Sequence, residues 1–187
     1  MDEHSIILVK ELREKETADE IDRIAKTIEE TLNAETNSRV YISSGTIVSD
    51  LKDVSRSYKE AKMALEVGKI FETDKYIVNY EKLGIGRLIY QLPLPLCRMF
   101  IKEVLHGLTM DDFDDETLAT VINSLKTTLN VSETSRQLYI HRNTLVYRLD
   151  KLQKMTGLDL RNFDDAIIFK ITLMVSKYMI YMDKMAY

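Results

Sequence analysis

The chain has 187 residues, enough for one ordinary domain or two small ones. Hydrophobic residues at 45% and charged residues at 30% exclude a disordered chain, and two prolines and six glycines leave little room for flexible linkers. The net charge of −4 argues against a surface that binds nucleic acid all over, though not against a local basic patch.

A single cysteine, Cys97, excludes an internal disulfide and a cysteine-rich metal site. The three histidines His4, His106 and His141 lack the paired spacing of a metal site, so no metal or cofactor is expected. The Ile6–Val9 run is too short for the core of a signal peptide. Lys170 and Lys177 interrupt the most apolar stretch, 167–182, whereas a membrane span needs about 20 mainly apolar residues. A soluble, cytoplasmic protein is the expectation.

Ser5 to Val9 (SIILV) is β-branched and continuous, which predicts a buried strand. From Asp19 to Leu32, apolar residues at 21, 24, 25, 28 and 32 mark one face of a helix. Arg39 to Ser43 (RVYIS) returns to strand character, and Ser44-Gly45 breaks it. A further helix, capped by Ser49 or Asp50, runs to a stop at Gly68. Tyr76 to Tyr80 is the third strand, which makes β-α-β-α-β over the first 80 residues or so.

After Leu83 the pattern is helical. A short helix fits 84–92, and Pro93 and Pro95 punctuate the chain. Helices are expected at 96–108, 114–129, 132–138, 142–155 and 164–183. The acidic run Asp111–Glu116 suits a helix start, because carboxylates favour the positive end of the helix dipole. It lacks the alternation and central Gly of a calcium loop. The fold class is therefore α+β, with an α/β part at 1–85 and an all-helical part at 86–187.

The segment Asn130–Leu149 (NVSETSRQLYIHRNTLVYRL) carries the function. Ser132 can cap a short helix with Ser135 on its inner side, Tyr139-Ile140 form a turn, and Arg142 starts a second helix. Two helices, a brief turn and a small residue at the crossing form a helix-turn-helix. On the second helix Leu145, Leu149 and Leu152 fall within about 60° of one another. Asn143, Tyr147, Lys151 and Lys154 lie opposite, flanked by Arg142, Thr144 and Arg148. A recognition helix needs this division. Asn can read adenine and Arg guanine, while Lys, Thr and Tyr more often hold phosphates. The segment 126–161 holds seven basic and three acidic residues, so +4, and the remainder sums to −8. A basic island on an acidic chain is the local footprint of a DNA-contacting unit.

Residues 125–165 resemble the C-terminal helix-turn-helix of the PucR/CdaR family of bacterial transcription regulators. The resemblance rests on HRNTL-x-YRL at 141–149, TG-x-DL at 156–160, and an acidic pair before a last apolar helix. Tyr139 stands where many helix-turn-helix proteins have Gly, and Ser135 where many have Ala. Upstream, SIILV, RVYISSG and SYKEAKMAL look like the second half of a GGDEF-like domain, with Asp2-Glu3 where the signature's acidic pair would fall.

The resemblance implies a sequence-specific DNA-binding regulator with its recognition helix at about 142–155 in the major groove. Arg142, Asn143, Thr144, Tyr147, Arg148 and Lys151 would be the DNA-binding residues. It also implies a homo-oligomer, a double-stranded DNA operator, and a small-molecule effector acting only through a missing N-terminal domain. The start at Met1 suggests a fragment of a longer regulator. The half of a GGDEF-like domain that would hold metal and nucleotide is not in the sequence, so no catalysis is expected. Two alternatives are a dimerisation module with a degenerate helix-turn-helix and a remnant nucleotide-processing enzyme. His141 is read as a cap or a packing residue, Cys97 as core, and the methionines at 174, 179, 182 and 185 as core or a dimer seam.

Overall fold

A computed structural model describes residues 5–13, 18–36 and 40–185. Asp2, Glu3, His4 and Arg39 lie outside the described residues. The chain is α+β, mostly helical with one two-stranded sheet among the described residues, and divides into two compact units, 1–87 and 88–187.

The first unit holds α1 (Ala18–Thr36), β1 (Ile42–Ser44), α2 (Val54–Phe71) and β2 (Ile77–Asn79). The two strands are parallel, with Ile42 opposite Ile77 and Ser44 opposite Asn79. Parallel neighbours need a crossover, and α2 supplies it. The turn after β1 is tied to that helix. Ser57 Oγ donates to the Thr46 carbonyl at 2.7 Å, and Ser43 Oγ donates to the Ala61 carbonyl at 2.7 Å. Asn79 ends β2 and accepts from the Glu81 amide at 2.9 Å, which starts a single 3-10 turn at 80–82.

This unit departs from the sequence expectation at Ser5–Val9 and at Gly68. Ser5–Val9 is not a strand, and Ile6, Leu8 and Val9 are 95%, 63% and 66% exposed. A β-branched run makes a buried strand only where another strand satisfies its backbone, and β1 and β2 pair with each other. Gly68 does not stop α2, which continues to Phe71. Its function is close approach: a Cβ at Gly68 would lie 2.6 Å from Cγ2 of Val78 on β2. The glycine lets helix and strand touch.

The second unit holds α4 (Leu94–Val104), α5 (Asp115–Lys126), α6 (Val131–Gln137), α7 (Arg142–Thr156) and α8 (Phe163–Met185); the unit boundary falls within the short α3 (Gly86–Ile89). Pro93 is the cap of α4 and Pro95 lies in its first turn, where a missing amide proton costs nothing. The core joins Leu105, Phe113, Val121, Leu145, Leu149, Leu152, Leu160 and Phe169. Phe113 meets Phe169 edge to face at 6.1 Å. Cys97 is buried, and burial pushes its thiol pKa up, so it packs as a small apolar residue. The methionines at 174, 179 and 182 are half-buried and Met185 is exposed, so they are not core. Among the described residues no helix is long and apolar enough to cross a membrane.

Replacing Gly68 with Ala is expected to destabilise the protein by about 1–3 kcal/mol, as overpacking does. Urea denaturation followed by circular dichroism measures it, and an unchanged midpoint would contradict the close-approach role.

Candidate nucleic-acid interface

The helix-turn-helix is built by caps and by small buried residues. Asn130 caps α6 by accepting the Glu133 amide at 3.1 Å, so the cap is Asn130 and not Ser132. Both types suit the position, and Asn130 stands there because α6 begins at Val131. Thr134 and Ser135 are 0% and 8% exposed, which lets α6 cross α7 closely. Thr134 Oγ1 lies 2.5 Å from Thr127 Oγ1 and donates to the Asn130 carbonyl at 2.8 Å. These buried hydroxyls satisfy one another.

The α6–α7 turn closes as a Schellman motif. The Ile140 amide donates to the Ser135 carbonyl at 3.0 Å and the Tyr139 amide to the Arg136 carbonyl at 3.1 Å. Tyr139 takes the left-handed position, with φ +54°. His141 then caps α7, its Nδ1 accepting the Asn143 amide at 3.2 Å. At the other end Gly157, with φ +76°, closes the helix by donating to Gln153 at 2.8 Å. The TG-x-DL stretch fixes the loop between α7 and α8. The Leu158 amide donates to Thr156 Oγ1, the Asp159 amide to Asp165, and Leu160 is buried. Arg161 joins Asp159 at 2.7 Å to Asp150 of α7 at 2.9 Å.

Leu145, Leu149 and Leu152 are 0%, 3% and 0% exposed and turn the same side of α7 into the core. Arg142, Asn143, Thr144 and Tyr147 are exposed, Tyr147 to 69%. These four of the six residues anticipated for DNA lie together on the open side of the N-terminal half of α7.

The other two are engaged with α5. Arg148 is ion-paired to Glu116, donates to Thr120 Oγ1 at 3.4 Å, and keeps only 16% of its side chain exposed. Lys151 donates to Asp114 at 2.6 Å. Asp114 is also the cap of α5, accepting the Thr117 amide at 2.7 Å. The Lys151 ammonium and that amide hold the Asp114 carboxyl well below the usual carboxylate range, and Asp114 in turn raises the Lys151 pKa. Small residues of α5 make room for this contact: Thr117, Thr120, Val121 and Ser124 are all buried.

Sequence spacing misses the partnership, since 32 residues separate Glu116 from Arg148. One signal was available. Arg148 lies about 60° from Leu145 around the helix, on the flank of the core face. The acidic run serves as caps and partners, and among the described residues no cluster of His, Cys, Asp or Glu could hold a metal.

Known proteins share these segments. Residues 117–175 match the PucR C-terminal helix-turn-helix domain, and residues 1–67 match the GGDEF-like domain. The chain is 28% identical over 132 residues to the purine catabolism regulatory protein of Bacillus subtilis, covering 70% of this chain and 25% of that protein. It is 30% identical over 139 residues to the carbohydrate diacid regulator of Escherichia coli, covering 74% of this chain and 36% of that protein. It is 30% identical over 129 residues to the DNA-binding transcriptional activator AdeR of Bacillus subtilis, covering 66% and 30%. Over the matched segments the chain resembles regulators of the PucR/CdaR type. It spans about a quarter to a third of the length of these relatives.

Two outcomes check the site's construction. Asn130→Ala is expected to cost about 1 kcal/mol through loss of the α6 cap, read from the shift in thermal unfolding. The Asp114 contribution has a definite sign. Its folded pKa is lowered, so its stabilisation is present above the unfolded value near 3.9 and is lost as pH falls below that. The parent's melting temperature should therefore drop more than that of Asp114→Asn between about pH 5 and pH 3. Equal drops would contradict the pairing.

Proposed function

We propose that this chain is the DNA-binding part of a transcriptional regulator, with α7 entering the major groove of a double-stranded operator. The observation that carries the reading is the exposed edge of Arg142, Asn143, Thr144 and Tyr147 on a helix whose opposite face is locked into the core. Asn143, Thr144 and Tyr147 would face base edges or thymine methyls. Arg142, Arg148 and Lys151 would hold phosphates. For the last two this is an exchange, in which phosphates replace Glu116 and Asp114. The relatives support the reading, since one of them is named as a DNA-binding activator.

The working form would be a cytoplasmic homo-oligomer, two copies reading half-sites about 34 Å apart. The GGDEF-like segment, proposed at 1–85, would be non-enzymatic, as the regulator names of the relatives suggest. A small-molecule effector would act through a further region of such a regulator.

Selection from a random DNA pool would yield an operator, and gel-shift titration would test the contacts. Asn143→Ala is expected to weaken binding about tenfold and relax one base position, since a bidentate base contact is worth about 1–3 kcal/mol. Arg142→Ala should weaken binding to all sequences and reduce the slope of log affinity against log salt by about one. Unchanged affinity in both variants would overturn the recognition-helix assignment.

A further inference from the structure

Tyr139 combines a costly backbone conformation, which the helix end imposes, with a side chain that the fold does not use. Its backbone is left-handed, with φ +54°, which every side chain except glycine makes costly. Its ring is 96% exposed, so burial returns nothing for that cost. The left-handed backbone is not what singles it out, because α4 and α5 end in the same way with His106 and Thr128 at the equivalent place. Thr128 is followed by Leu129, also left-handed, which packs against the core. Tyr139 is an aromatic residue left almost fully exposed among the described residues, at a position that favours glycine. It sits two residues before the His141 cap, at the end of α7 that carries Arg142, Asn143 and Thr144. Tyr147, the other strongly exposed tyrosine of this motif, lies on that helix's open side.

We infer that Tyr139 is a DNA-contacting residue, its phenol O–H donating to a phosphate oxygen beside the groove that α7 enters. The inference rests on the DNA reading above and adds to it a residue outside the recognition helix. A phenol suits the task. Its ring is rigid, so little freedom is lost when it docks, and a hydroxyl donating to an anion makes a short, strong hydrogen bond. The neutral donor also displaces no counterion, which separates its contribution from that of a cation.

The test uses the full chain and a fluorescein-labelled duplex of random sequence at low salt, because a phosphate contact is independent of sequence. Anisotropy titration should show Tyr139→Phe binding about tenfold more weakly, the scale of a lost hydrogen bond to a charged group, with the salt slope unchanged. Arg142→Ala, measured alongside, should lower the slope by about one. Tyr139→Gly should bind at least as weakly as Tyr139→Phe yet melt at a higher temperature than the parent, because glycine fits the left-handed position. Parent-like binding by both Tyr139 variants, with Arg142→Ala still weakened, would overturn this inference and leave the DNA reading standing. A lower melting temperature for Tyr139→Gly would make the ring a structural element and overturn it too. A parent chain that binds no duplex would overturn both.

Discussion

The burial of Leu145, Leu149 and Leu152 decides what the rest of the second unit can do. Each removes nearly all of its side chain from water, and fully burying a leucine is worth about 1.5–3 kcal/mol. Together they leave α7 one rotational setting about its axis. The exposed residues are then those opposite and beside the stripe, and Asn143 and Tyr147 stand outward without further support. The elements around α7 serve that setting. Thr134 and Ser135 bring α6 close, the buried threonines of α5 seat its other side, and Arg161 ties its last turns to the loop beyond them. The proposed recognition surface needs a rigid scaffold, and the leucine stripe with its small polar neighbours provides one.

Charge has to be judged in space and not only along the chain. The +4 of residues 126–161 counts Arg148 and Lys151 as open cations. In the fold Glu116 and Asp114, both outside that segment, sit on them. The basic character left open on α7 gathers at Arg142 and Lys154, which have no acidic partner among the described residues. The acidic start of α5 acts as cap and as ion-pair partner on one flank of the helix, the places that phosphates would take in the proposed complex. In the proposed complex DNA would have to displace it. The acidic excess of the chain thus acts on the helix at hydrogen-bond distance, and not only as a repulsive field around it.

Much of the second unit was legible because its signals are local. Leucine periodicity, the acidic pair in the first turn of α8, and Thr156-Gly157 at the end of α7 each act within a turn or two. Their elements lie within two residues or so of the expected bounds. The first unit was harder. A strand is defined by its partner, so SIILV satisfied every local criterion and still forms none, whereas the weaker YIVNY pairs with β1. Gly68 looked like a stop because glycine usually is one, yet here it answers to Val78 across the interface. The site divides on the same line. Residues pointing away from the core could be read from angle alone, whereas the engagement of Arg148 and Lys151 depends on a helix more than 30 residues earlier.

The N-terminal half of α7, with its preceding turn, is the surface proposed to meet duplex DNA, and everything else in the functional reading depends on it. Backbone amide chemical shifts, recorded by NMR as a selected operator duplex is added, test it most directly. Perturbations are expected to concentrate at residues 139–147, with further changes at 114–120 as Arg148 and Lys151 leave their carboxylates. Shifts confined to α8 or to the first unit, or none at all with saturating duplex, would contradict it.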